Sequence, residues 1–250
     1  MNVGNYSEAL EQQVRLFKLA NAQRFSSTEA VWRAKIADID FDSSQCAATE
    51  VITTSVLERA ATFYWDADMC PLLTSAAKTL RDWRLSESDL PTPAGFIWLA
   101  QGEQVIGAGI HHRRVRAFAW AKVGDDQITA IDFVQGARNV LFPGTWAKWR
   151  FADRLMDAAR TFTGDEEDIA HATSLLRYVA ASYGLLAQRI VTARHTQAER
   201  HARKRLERDG WEQEPLIRVV ELRRREQVGH KGTVASVETD WQCQWVVRGH

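Results

Sequence analysis

The segment Arg194–Arg208, RHTQAERHARKRLER, sets six basic side chains against two acidic ones, a net charge of +4, and holds two histidines with almost no apolar stripe. Read as a helix, it makes Arg200, Arg203, Lys204 and Arg208 reachable from one side, so it can neutralise several phosphates. Arg194 opens the segment, and Arg223, Arg224 and Arg225 add charge shortly after it. Contact would be with the phosphate backbone, with His195, His201 and Trp211 as stacking partners for bases. The competing reading is a solvated helix in which Glu199 and Glu207 pair with Arg203.

Other constellations carry less. His111-His112-Arg113-Arg114 lies between two strand-like runs. Adjacent histidines project to opposite sides of a strand and cannot chelate one ion together, and no acid or cysteine stands at ligand spacing, so no metal is expected. Asp38, Asp40 and Asp42 alternate as in a calcium loop, but Ser43 and Thr49 stand where such a loop has Gly and Glu. Asp66 and Asp68, beside Trp65, form an acidic pair at a helix end with no base to work with; these three residues are expected to meet a protein partner. The chain has no G-x-S-x-G elbow, no reactive-cysteine signature and no Gly-rich phosphate loop. Neither catalysis nor a cofactor is expected.

The elements that hold these residues must come from 250 residues, 45% apolar and 26% charged, a composition that excludes disorder and fibres. Basic and acidic residues number 32 each, so any attraction to a polyanion is local. Residues 1–112 carry 9 basic and 14 acidic side chains, whereas residues 194–250 carry 12 and 9, giving an acidic front and a basic back. Cys46, Cys70 and Cys243 show no paired spacing, no run is long enough to span a membrane, and the first 25 residues read as an amphipathic helix, not a leader. These features fit a cytoplasmic protein with no membrane attachment. Ten tryptophans against four tyrosines indicate large aromatic areas in a core or an interface.

Periodicity predicts an α+β fold in two regions, a helical one over 1–90 and an α+β one over 91–250, with one continuous domain as the alternative. In the front, Tyr6, Leu10, Val14 and Phe17 recur at helical spacing, as do Ile52, Val56, Ala60 and Tyr64, and again Leu73, Ala76, Ala77, Leu80 and Trp83. A further short helix is read through Trp32 and Ile36. Leu90-Pro91-Thr92-Pro93 then stops the helices. Short runs at 95–101, 104–110, 115–123 and 127–134 predict an antiparallel meander. In the third, Val115, Ala117, Ala119 and Ala121 share one face, while Arg116, Phe118, Trp120 and Lys122 share the other, which cannot all be core. Helices are expected from Trp146 to Phe162 and from Leu175 to Ile190, then Arg194–Arg208, with closing strands at Leu216–Leu222 and Trp241–Val247.

The run from Gly95 to Val134 followed by helices and RKRLERDGWEQEPLIRVVELRR is similar in rhythm to GNAT-type acetyltransferases, where a helix ending in a G-(F/W) turn precedes a late strand. That resemblance implies an acyltransferase, yet the Q/R-x-x-G-x-G/A loop of those enzymes has no counterpart here. The segment Tyr64–Trp83 followed by LPTPAGFIWLA, the strand LIRVVELRRR and the terminal WQCQWVVRGH resemble a family of phage and plasmid proteins whose R-G-H-W-(R/H) box follows an arginine-rich helix and a strand. The same layout is similar to type V-A anti-CRISPR proteins. The likeness covers residues 64–100 and 216–250. It implies a mobile-element regulator or inhibitor that lowers the amount of its target nuclease, and it marks Arg248, Gly249 and His250, with the basic helix before them, as recognition residues. The chain stops where the box would continue, which leads to an expectation of truncation after His250.

The leading expectation is therefore a regulatory or inhibitory binding protein, without catalysis, that engages RNA or a ribonucleoprotein through its basic region and a host protein through its acidic front. The alternatives are a GNAT-like acyltransferase or ribonuclease-type enzyme, and a phage structural or assembly protein.

Overall fold

The computed structural model describes residues 6–21, 52–80, 83–105, 113–135, 141–160, 166–208, 210–211, 214 and 216–223. Helix α1 (Tyr6–Asn21) buries Leu10 and Val14, as its spacing predicts. A short helix over 52–57, α2, leads into strand β1 (Ala61–Trp65) and helix α3 (Met69–Thr79). Then come β2 (Ala94–Val105), β3 (Arg113–Val123), β4 (Gln127–Gln135) and β5 (Leu141–Arg150). Helices α4 (Leu155–Arg160) and α5 (Glu166–Leu186), strand β6 (Val191–Gln197), helix α6 (Arg200–Arg208) and strand β7 (Leu216–Leu222) complete the order.

Among the described residues the strands form one seven-stranded sheet in the order β5-β4-β3-β2-β1-β7-β6. Strands β2 to β5 form an antiparallel meander in which β3 and β4 stand where the sequence predicts strands, whereas β2 unites two predicted runs and β5 was not among them, and β6 pairs antiparallel with β7. Strand β1 lies between β2 and β7 and runs parallel to both. The fold is α+β, with helices on both faces of a mostly antiparallel sheet. One face carries Phe63, Trp65, Phe118, Trp120 and Trp149 together with α3, α4 and α5. The other carries Tyr64, Phe96, Trp98, Ala117 and Ala119 together with α1 and α6.

Several expected helices are partly strands. The helical stripe drawn from Ile52 to Tyr64 ends early, because ATFYW is β1, a central strand buried on both faces and so without an exposed polar face to betray its period. Trp146 and Trp149 sit on β5, not on a helix. Being three apart, they face opposite sides of the sheet, Trp149 in one core and Trp146 against the other. Ala152, at φ 68, separates that strand from α4. The helix expected to reach Ile190 stops at Leu186. The segment Arg194–Arg208 is half strand and half helix, its first residues paired along β7 from Arg194↔Val219 to Gln197↔Leu216. The two runs predicted around Gly102 are joined in β2, where a register shift between Trp98 and Glu103 absorbs the expected turn. Both faces of β3 are covered, with Phe118 and Trp120 buried under α5. The helix through Trp32 and Ile36, the Asp38–Asp42 alternation and the strand Trp241–Val247 lie outside the described residues.

Helix α1 is fastened to the sheet by a buried amide. Gln13, 0% exposed, donates from Nε2 to the carbonyls of Ala60 (2.8 Å) and Leu57 (3.4 Å) and accepts the Thr62 hydroxyl at Oε1. Exchange for leucine keeps the volume but strands the Ala60 carbonyl and the Thr62 hydroxyl, so Gln13→Leu is expected to lose about 2 kcal/mol, read from the urea midpoint at constant slope.

Candidate nucleic-acid interface

Helix α6 is short and strongly charged, and tertiary contacts hold it in place. Ala202 and Leu206 are buried against the α1 face of the sheet. Gly210, at φ 71, lets the chain turn back so that Gly210 N–H donates to Glu207 O and Trp211 N–H to Leu206 O, both 3.0 Å. This is a Schellman cap, and only glycine takes that conformation at no steric cost. Trp211 then lies edge-on to Phe17 of α1 at 5.6 Å, half-buried and packed against the core, so its ring is engaged within the fold. At the other end of α6, the Glu199 N–H donates to Ser7 Oγ at 2.8 Å, tying the start of the helix to α1.

With Ala202 and Leu206 turned inward, Arg200, His201, Lys204, Arg205 and Arg208 are exposed. Arg200, Lys204 and Arg208 recur every fourth residue and make one stripe, rising about 6 Å per step. Among the described residues Arg200, His201 and Lys204 have no side-chain partner, and Arg208 uses Nε only on the Lys204 carbonyl at 3.3 Å. Arg203 differs. It is half-buried and donates from Nη1 to Gln197 Oε1 at 3.1 Å, so the pairing with Glu199 or Glu207 considered from the sequence does not form among the described residues.

Two neighbouring arginines are neutralised internally. Arg205 pairs with Glu11 of α1 at 2.9 Å. Arg194, on β6, pairs with Glu221 of β7 at 3.2 Å, donates to the Tyr6 hydroxyl at 3.1 Å and lies 5.2 Å over the Tyr6 ring. His195, next along β6, is exposed. Arg223 is exposed just past β7, its backbone N–H bound to Ile190 O at 2.7 Å. Arg224, Arg225, Arg248 and His250 lie outside the described residues, as do His111 and His112.

The acidic front is placed at the end of β1. Trp65 is 0% exposed and belongs to the core, so only Asp66 and Asp68 of the trio expected to meet a partner reach the surface. Asp66 accepts the Ala67 N–H at 2.8 Å, and its own N–H donates to Val220 O at 3.1 Å. Beside it Tyr64 meets Tyr6 edge-on at 4.7 Å, and its hydroxyl pKa is pushed up to about 12 by burial, then by Asp66. Arg116 lies 4.6 Å over Trp98 and donates to the Ala100 carbonyl at 2.7 Å.

One cation escaped the sequence reading. Arg218, on β7, stacks 5.1 Å over Phe63, and burial lowers its pKa. The signal was present, since alternation in LIRVVEL puts Arg218 on the same face as Leu216, Val220 and Leu222, an odd place for an unpaired charge. Among the described residues no three metal-ligating side chains converge, and no helix is long and apolar enough to cross a membrane.

No family model matches the chain, and no curated protein matches it. Among solved structures, the crystal structure of AcrVA2 is similar at a TM-score of 0.39 and 12% identity, covering 86% of this chain and 81% of that one.

Proposed function

We propose that the protein is a regulatory or inhibitory binding protein that docks on RNA, free or within a ribonucleoprotein, through α6 and its surroundings, without turnover of its own. The observation that carries this is the exposed stripe Arg200, Lys204 and Arg208, to which no carboxylate is paired among the described residues. A structural charge would be matched. Arg194 and Arg205 show how this fold does so, with Glu221 and Glu11. The stripe is held by a buried apolar side and a glycine cap, so the cations are presented on a fixed element, and backbone recognition needs little more than positioned charge. The resemblance of residues 64–100 and 216–250 to a family of phage and plasmid proteins, in a layout similar to type V-A anti-CRISPR proteins, supplies the setting, and Asp66 and Asp68 are the surface proposed for a protein partner.

The test is RNA affinity at two salt concentrations for the chain and for Arg200→Glu/Lys204→Glu. Each lost phosphate contact should lower the slope of log affinity against log salt by about 0.7, so the double variant should lose roughly 1.4 of that slope. Arg203 is left intact because it is bonded to Gln197. Unchanged affinity and slope would remove α6 from the interface.

A further inference from the structure

Arg218 stands out on the sheet face away from α6. Its guanidinium lies over the Phe63 ring, it is half-buried, and among the described residues it forms no hydrogen bond or ion pair. A half-buried guanidinium normally meets a carboxylate, because its five N–H donors lose water when covered. Here its cross-strand neighbour is His195 of β6, an exposed imidazole. Directly opposed residues on an antiparallel pair stand about 5 Å apart at Cβ, close enough for both side chains to reach one small group. The next residue of β6 on that face, Ala193, is exposed and too small to cover the site. Among the described residues β6 is an edge strand of the sheet, so the approach along it is short.

We infer that Arg218 and His195 form a binding site for a phosphate group, Arg218 as the fork that grips two oxygens and His195 as a further donor from the strand edge. Planar guanidinium donors match phosphate oxygens bidentately, and stacking on Phe63 fixes the plane of the fork before the ligand arrives. The lowered pKa of Arg218 fits the same geometry, since a covered cation without a counter-ion is the state an anion would relieve. Resting on the reading of α6 as an RNA interface, the site extends that interface around the sheet edge. Arg203 reaches from α6 to Gln197 at the end of β6, and His195 lies two residues back along the same strand. A backbone held by Arg200 and Lys204 would pass Gln197 and deliver a later phosphate to Arg218.

The experiment follows the His195 ring resonances by NMR while the full chain is titrated with inorganic phosphate and, separately, with a single-stranded uridine oligonucleotide, in the chain, in Arg218→Met and in Arg200→Glu/Lys204→Glu. Methionine keeps an apolar stem over Phe63 and removes the fork. Both probes are expected to shift His195, and Arg218→Met should weaken inorganic phosphate at least about tenfold. The α6 double variant should weaken the oligonucleotide and leave inorganic phosphate unchanged. Inorganic phosphate bound in an Arg218-dependent way without oligonucleotide binding would keep this site and sink the α6 reading. Oligonucleotide binding that depends on α6 but is indifferent to Arg218→Met, with no phosphate response at His195, would do the reverse. If Arg218→Met fails to fold, His195→Ala at the exposed edge takes its place with phosphate binding read by isothermal titration calorimetry against the parent chain, and unaltered phosphate affinity in that variant overturns the proposal.

Discussion

Gly95→Val is expected to lower the unfolding free energy by at least about 3 kcal/mol, at the upper end of what overpacking costs. A Cβ at Gly95 would stand 2.3 Å from two atoms of the Trp120 ring. That ring cannot swing aside. Trp120 is 0% exposed, donates from Nε1 to Thr92 O at 3.1 Å, and packs edge-on against Tyr183 of α5 at 5.1 Å. Gly95 and Trp120 are register partners between β2 and β3, so the indole fills the space a side chain at 95 would need. Relief requires either losing the Thr92 bond or parting two strands of the meander. Chemical denaturation with coincident fluorescence and circular dichroism reads the loss, and a midpoint within experimental error of the parent would show that the ring is free to move.

Trp149→Ala comes next, with an expected loss of about 3–5 kcal/mol for a fully buried indole cut back to a methyl group. Trp149 is 0% exposed, stands on β5 opposite Ile128 of β4, and donates from Nε1 to Asp153 O at 3.0 Å. It therefore does two things at once. Its ring fills the core between the sheet and α4, and its N–H holds the turn that contains Ala152 in its left-handed conformation. Trp149→Phe separates them, keeping most of the packing and losing the bond, and should lose less than the alanine variant. Equal losses in the two would mean that the hydrogen bond, not the volume, governs this corner.

The sequence disclosed β3 and β4, rich in β-branched and aromatic residues and parted by Gly124-Asp125-Asp126, but it split β2 at Gly102 and did not show β5 as a strand. It disclosed α1 because one face is apolar at helical spacing. It concealed β1, since a strand flanked by parallel neighbours and covered on both sides has no polar face to mark its period. It misled at Trp146 and Trp149, where a three-residue step suits a helix stripe and equally suits two residues on opposite faces of a strand. The basic region was legible as charge but not as geometry. Composition singled out Arg200, Lys204 and Arg208, yet only the fold shows that Arg194 is matched by Glu221 and that Trp65 is core. Arg205 was counted in the net charge and not singled out, because its partner Glu11 lies near the other end of the chain. Arg218 belongs to no run of charge, and its meaning lies in standing alone among apolar neighbours.

The central place of β1 also governs how this chain assembles in time. The ribbon from β2 to β5 needs only adjacent hairpins and can close early, as can the pair β6 and β7. Neither is the finished sheet. Joining them requires β1 to find β7, its parallel neighbour across most of the described sequence, and the loop entropy of that search sets the pace. During synthesis on the ribosome, β1 therefore emerges long before the strand that seals its flank, and the nascent chain must carry Phe63 and Trp65 unsealed on that side until β7 is made.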